Sequence, residues 1–567
     1  MSPDDSASSW TASTGVVDGG DKIVEVELVV DAACFALGQR SSEGLQPCLA
    51  LLEEAKGGSK DFAGGPLRAF SYLSIRKFDE VVTERDRRVL HHRGKVPKFG
   101  TKCTGRTTAA RPGRLRHRTG TSAPTERQNR RQPAANSASV GALASEYGKL
   151  DGMATYVERH ASTLIQEALA DTRVVVVNGA RQSGKSTLVQ RLIRARADVD
   201  LRGLDRSVEL AAARLDPERY VLFDGLLVID EIQRAPELIL PIKVRVDDDP
   251  RPGQYLLTGS ARLLGLRSLP DALVGRKETI ELWPFSQAEL IGRRSAFIDV
   301  AFDDPTTAAN TRRAPSEHRS GYVERLVVGG FPEAHERQDR RRTRFFASYL
   351  EDLVDRDVTQ LGDIERREQL SQLIALLAAG AGQLFVADRL ASKLGLSAKT
   401  VERYVTLFEE VFLVKRLPAW SNSSTGRVVR TRKLVFVDSG LAAHVVGRSA
   451  ARLERADPLI GPMLENFVLS ELSRLAPLSE ATPTLLHYRT RDGVEVDAVL
   501  ERRDGAVVGI EVKASGTIRA EDVAGLVHLR ERAGEDFAAG FVLYTGTVTR
   551  SLGDRLWAAP IDSLWTW

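Results

Sequence analysis

The sequence predicts a multidomain α/β protein, and three observations carry that expectation. The octet GARQSGKS (179–186) sits between an apolar run, VVVV, and a helical stretch, SGKSTLVQRLIRA. A second apolar run, in LLVIDEIQ (226–233), ends in two adjacent acids. From Met153 to about residue 290, helix-period and strand-period patterns alternate, the signature of a parallel sheet with crossover helices. At 567 residues the chain is too long for one core, and roughly three to four domains are expected.

Bulk composition narrows the class. A hydrophobic content of 42% with 28% charged residues is ordinary for a globular protein. No run approaches the ~18 consecutive apolar residues of a membrane span, and the acidic, polar start MSPDDSASSW does not resemble a signal peptide, so a cytoplasmic location without membrane contact is expected. The formal charge of +4, from 80 basic and 76 acidic residues, excludes a generally polycationic nucleic-acid binder but leaves room for a local basic patch. Cys34, Cys48 and Cys103 fall early and in no metal-ligand spacing.

Residues 1–150 differ from the rest. The stretch TKCTGRTTAARPGRLRHRTGTSAPTERQNRRQPAANSAS has too few large apolar residues to offset chain entropy, so disorder is expected. It reads as a basic tail, as a solvated linker, or as a stretch outside the native protein, since Met153 offers a second start just before the first domain pattern.

The order of elements then places a nucleotide. In GARQSGKS, Gly179 and Gly184 let the backbone curl, so that N–H groups of Ala180, Arg181, Gln182 and Ser183 point inward at phosphate oxygens beside a helix N-terminus. Lys185 would bridge the β- and γ-phosphates, Ser186 would give its hydroxyl to Mg²⁺, and Thr187 completes the turn. The strand of LLVIDEIQ delivers Asp230 to hold Mg²⁺ through water and Glu231 to polarise the attacking water. A third strand, QYLLTGSA, ends in Thr258 and Ser260, either of which would sense the γ-phosphate.

NGARQSGKSTL, LLVIDEIQRAPEL, YLLTGSARLL and LVGRKETIELWPFSQAEL together resemble the AAA-type ATPases of bacteria and archaea that carry a C-terminal domain of unknown function, of the kind named DUF4143. The resemblance continues through GGFPEA (329–334) and SYLEDLVDRDV (348–358) to the C-terminus, and omits residues 1–150. It implies ATP as ligand, with Mg²⁺. It also implies an arginine that stabilises charge on the transferred phosphate, for which Arg276 in LVGR is the candidate by motif; a surface role on a turn is the alternative.

Beyond the ATPase region (153–294), residues 295–375 read as a polar linker and a helical region. In 376–450, VADRLASKLGLSAKTVERYVTLFEEVFLVKRL places two amphipathic helices around Gly395, with Ser397 as N-cap, which is helix-turn-helix grammar. FLVKRL and RKLVFVD would supply a wing. Lys399 and Arg403 face outward, but so do Glu402, Glu409 and Glu410, so DNA contact competes with plain packing against the ATPase.

The last segment, 455–567, carries DGVEVDAVLERRDGAVVGIEVKAS (492–515). Strict alternation places Val494, Val496 and Ala498 on one face and Asp497 on the other; likewise Val508, Ile510 and Val512 oppose Glu511 and Lys513. A turn at 502–505 would fold Asp497 abreast of Glu511. The preceding helix offers Glu465 or Glu471, Glu465 being favoured by its place in LENFV. This set resembles the acidic-and-lysine core of restriction-endonuclease-like nucleases. The resemblance implies Mg²⁺ or Mn²⁺ on Asp497, Glu511 and Glu465, with Lys513 acting on water. The chain is therefore expected to bind and hydrolyse ATP and to act on DNA, with possible self-assembly and metal-dependent cleavage. The competing expectation is an ATP-switched regulator or scaffold whose nuclease-like domain does not cut.

Overall fold

The computed structural model describes residues 156–567, except 195, 261–272, 307–316, 359–366, 423–430 and 456, together with residues 11–18 and 22–29. The latter form an antiparallel pair, β1 (Thr11–Asp18) and β2 (Lys22–Val29), with Thr11 opposite Val29. The rest of the expected disordered region, and all three cysteines, lie outside the described residues.

The nucleotide-binding part is built as the alternating pattern predicts. Helix α1 (Ala161–Asp171) leads into β3 (Val174–Asn178), whose five residues are all buried. Valines suit this position because their branched side chains pack on both faces of a pleated strand, each burial contributing about 1.5–3 kcal/mol. Helix α2 (Lys185–Ile193), β4 (Val199–Gly203), β5 (Leu226–Asp230), α3 (Ile239–Asp248), β6 (Tyr255–Gly259) and β7 (Lys277–Glu281) follow. The sheet is fully parallel, ordered β4-β5-β6-β3-β7. All five C-terminal strand ends therefore share one edge, where the loop 179–184 and the acids Asp230 and Glu231 emerge.

Beyond it, α4 (Arg319–Val328), α5 (Asp339–Asp352), α6 (Arg367–Ala379), α7 (Ala387–Leu394) and α8 (Ala398–Glu410) precede an antiparallel pair, β8 (Val414–Leu417) and β9 (Lys433–Phe436). Helix α9 (Ile460–Leu475) then covers a mixed six-stranded sheet of β10 (Thr484–Arg489), β11 (Glu495–Glu501), β12 (Val507–Lys513), β13 (Phe537–Tyr544), β14 (Arg550–Gly553) and β15 (Leu556–Pro560), with helix α10 (Ala524–Ala533) packed between β12 and β13 in sequence. Its order is β10-β11-β12-β13-β15-β14, with β12, β13 and β15 parallel.

Two expectations need correction here. A single apolar cluster runs from Phe297 and Tyr322 through Phe345, Phe408, Phe436 and Phe467 to Trp567, so 295–375, 376–450 and 455–567 share a core. Residues 297–303 are accordingly a buried helix rather than a polar linker: Phe297 is fully buried, its ring centroid 5.5 Å from those of Phe541 and Trp567. The strand pair expected as a wing does form, but all four residues of β9 are buried. Residues 423–430 of the connecting loop lie outside the described residues.

Candidate functional site

The loop between β3 and α2 is fixed by its glycines. A Cβ on Gly179 would lie 2.1 Å from the Leu282 carbonyl oxygen, and Gly184 holds φ +94° as the N-cap of α2. Neither position accepts another residue without distortion. Arg159, almost fully buried, clamps the loop from outside: its Nη1 donates to the Ser183 carbonyl at 2.8 Å and its Nε to Glu289 at 3.1 Å. Burial would push the Glu289 carboxyl up, but the Arg159 guanidinium and the N–H groups of Ser286 and His160 outweigh it and hold it below its usual value.

Inside the loop, the buried Lys185 donates Nζ to the carbonyls of Gly179 (3.0 Å) and Ala180 (2.9 Å). Asn178 Oδ1 and Ser183 Oγ are buried beside it without a hydrogen-bond partner. Asp230 accepts a short hydrogen bond from Thr258 Oγ1, which itself accepts from the Glu231 N–H at 3.1 Å. Glu231 stands at φ +60°, a strained position for a residue with a side chain, and its Oε2 accepts from Ser260 Oγ at 3.0 Å and from Gln233. Thr258, expected to sense the γ-phosphate, is fully buried and instead orients the two acids. A cavity of about 770 Å³ opens here, lined by Arg181, Gln182, Gly184, Lys185, Ser186, Thr187 and Glu231 on one side. Residues of the 332–352 segment, among them Pro332, Arg337, Arg344 and Tyr349, form its other wall.

This donor set fits a magnesium triphosphate. An ammonium, inward N–H groups, a helix start, the Ser186 hydroxyl and the Asp230 carboxylate meet at one strand edge. Mg²⁺ would be held by Ser186 and Asp230 and would neutralise phosphate charge.

Arg276 does not join them. It precedes β7, and its carbonyl accepts the N–H of Val174 at the first residue of β3, so it lies at the N-terminal edge of the sheet. At about 3.3 Å per residue, β3 separates it from the loop by roughly 15 Å, and its guanidinium is bound to Asp247 (3.0 Å from Nη2). A catalytic role for Arg276 within its own chain is thus excluded by strand polarity. Sequence reasoning missed Arg337, in the bend before α5, and Arg344, on α5, which reach the cavity without a motif of their own.

At the C-terminal hairpin, β11 and β12 pair from Glu501 opposite Val507 to Ala498 opposite Ile510, which brings Asp497 and Glu511 to the end of the paired stretch. Alternation fails on one point. Between Leu486↔Val499 and Tyr488↔Val496, β11 holds one residue more than β10, and this bulge sends Val496 and Ala498 to different apolar clusters. Asp497 turns there to accept the Val512 N–H at 2.9 Å. Glu511 accepts from Lys513 at 2.8 Å; burial, then the Asp497 charge, push its pKa up to about 8.

Glu465 joins Asp497, and Glu495 completes a group of three carboxylates with ligand oxygens within 4.8 Å of one another; Glu511 lies outside that group. Glu471 is elsewhere, fully buried and accepting the Gln287 N–H at 2.8 Å, with Arg474 as ion partner. The decisive residue is Lys433. Its ammonium pairs with Glu465, with Glu495 at 3.1 Å and with Asp497 at 3.1 Å, and its side chain is 0% exposed. Burial, then the neighbouring Asp497, push Glu465 well above the usual carboxylate range, although Lys433 opposes this. For Lys433, burial lowers the pKa, but the three acids overcome it and raise it. A divalent ion does not fit the group while Lys433 fills it. Glu495 was legible as the same-face neighbour two before Asp497; Lys433 had no such signal.

Comparison with known proteins adds three family matches: an AAA domain over residues 171–291, a domain of unknown function (DUF8612) over 319–452, and a domain of unknown function (DUF4143) over 460–564. An uncharacterised protein of Mycobacterium tuberculosis is 28% identical over 416 residues, covering 72% of this chain and 84% of the relative. One from Haemophilus influenzae is 23% identical over 255 residues, covering 44% and 57%. Among solved structures, a Walker-type ATPase of Pyrococcus abyssi aligns at 15% identity and a TM-score of 0.33, over 51% of this chain and 96% of that one. The Holliday junction branch migration motor RuvB of Thermotoga maritima aligns at 18% and 0.23, over 46% and 90%.

Proposed function

Starting from a chain that joins an AAA-type ATPase domain to a C-terminal DUF4143 domain, we propose that it hydrolyses ATP to switch its grip on DNA, and that its nuclease-like domain does not cut. The observation that carries this is the cavity's double wall: the phosphate loop and Glu231 on one side, the 332–352 segment on the other. A triphosphate seated there touches both, so binding and release change contacts with the helices that lead to the rest of the chain. Lys185 leaves its two loop carbonyls for the phosphates, Glu231 polarises the attacking water, and Arg344 brings positive charge from the facing wall.

DNA as partner is supported by the helix pair α7–α8. Two of the three acids that weigh against phosphate contact are already bound: Arg416 holds Glu402 at 2.6 Å and Glu409 at 2.9 Å from Nε. Arg389, Lys393, Lys399 and Arg403 are exposed on the same pair. The non-cutting form of the C-terminal domain is favoured over metal-dependent cleavage by Lys433, which fills the carboxylate group a metal would need.

The test is phosphate release and DNA binding by the full chain, with Mg²⁺ and with Mn²⁺. The expected result is Mg²⁺-dependent release, DNA affinity that differs between ATP and ADP and falls with salt, and intact DNA. DNA cutting that is lost in Asp497→Asn would establish the nuclease instead, and absence of phosphate release would remove the ATPase.

A further inference from the structure

An ammonium offers three N–H donors and no acceptor, so a buried lysine needs three acceptors around it. Lys433 has two as hydrogen-bond acceptors, Glu465 on α9 and Asp497 on β11, and Glu495 on β11 supplies a third carboxylate as an ion pair. The Asp497 contact of 3.1 Å is that of an N–H···O bond, about 1 Å longer than the ~2.0–2.1 Å bonds to Mg²⁺.

We infer that the Lys433 ammonium is the resident cation of this carboxylate group, occupying the seat that a divalent metal would take in a nuclease-like domain. The lysine cannot step aside. Its backbone pairs with Leu417 on one side and bridges Leu384 on the other, and every residue of β9 is buried. It also arrives from outside the C-terminal segment, across 64 residues of sequence from Asp497. One group therefore does two things: it neutralises acids on α9 and β11, and it ties the 376–450 segment to the C-terminal sheet. Replacing the ammonium by an uncharged side chain should unmask a divalent site, because Glu465 and Asp497 then lose the cation between them, while Glu495 keeps its ion pair with Arg489.

This inference deepens the proposed non-cutting role and rests on it, yet it has its own readout. Mn²⁺ binding is measured by electron paramagnetic resonance on the full chain without nucleotide, for the wild type, Glu465→Gln and Lys433→Met. Wild type and Glu465→Gln should bind Mn²⁺ equally weakly, and Lys433→Met should gain one ion per chain, on the order of tenfold or more tighter than the wild type. An Mn²⁺ ion that the wild type binds and Glu465→Gln loses overturns the inference, as does a folded Lys433→Met with no gain. Should Lys433→Met fail to fold, the wild-type and Glu465→Gln pair still decides. DNA cutting by the wild type would overturn the proposed function separately, whatever the Mn²⁺ result.

Discussion

Two buried lysines, one in the phosphate loop and one against the C-terminal sheet, are held in different ways. Lys185 rests on two neutral backbone carbonyls beside a cavity of about 770 Å³. Lys433 rests on three carboxylates inside a packed strand. An ammonium that donates to loop carbonyls beside an open cavity can exchange them for an incoming phosphate. An ammonium on carboxylates already has its counter-charge, and any ligand must break ion pairs to reach it. The same functional group is a binding site in one place and a fastening in the other. What surrounds the charge decides which.

The sharpest way to break that comparison is to remove both charges. Lys185→Ala should abolish ATP binding and lower phosphate release by at least ~100-fold, while costing less thermal stability than removal of Lys433. Lys433→Met should do the reverse: ATP binding persists, and urea unfolding shows a loss of about 3–5 kcal/mol from the buried Glu465 and Asp497 carboxylates left without their cation. Similar effects of the two substitutions on both measurements would contradict the contrast.

A subtler probe uses pH. The folded chain keeps Glu511 protonated to about pH 8, whereas its ordinary value is 4.5. The bound proton therefore contributes stability that is fully present below about 4.5 and lost as pH rises through 8. Stability should therefore fall between about pH 4.5 and 8 by the equivalent of a few kcal/mol, and Glu511→Gln should flatten that slope. The smallest expected effect is at the loop's clamp. Arg159→Lys keeps the charge beside Glu289 but loses the fork that also reaches the Ser183 carbonyl, so ATP affinity should drop roughly fivefold to tenfold with little change in maximal rate. An unchanged affinity would show that Arg159 only stabilises the domain.

How much of this was legible in the sequence follows from distance along the chain. GARQSGKS and LLVIDEIQ are local patterns whose roles depend on strand–loop–helix order, and the parallel sheet places them as that order implies. The hairpin register that brings Asp497 and Glu511 to the end of the paired stretch was also local, fixed by one turn. Arg276 was misplaced because a motif carries no information on which end of a strand it occupies. Val496 and Ala498 were put on one face because alternation cannot show a bulge, which depends on the partner strand β10. Phe297 looked like linker because its partners, Phe541 and Trp567, lie more than two hundred residues away. Lys433 was the costliest omission. A lysine opening the apolar run KLVFV is a hint of a buried charge, but its three acids come from α9 and β11, and only the folded chain brings them together.

The account depends most on the loop site being a working hydrolase, and the Glu231→Gln variant addresses that directly. ATP binding and phosphate release are measured side by side on the full chain with Mg²⁺. The geometry predicts binding within about twofold of the wild type and release slowed by on the order of 100-fold, since Lys185 and Asp230 remain while the group that polarises water is lost. Normal turnover in Glu231→Gln would contradict it.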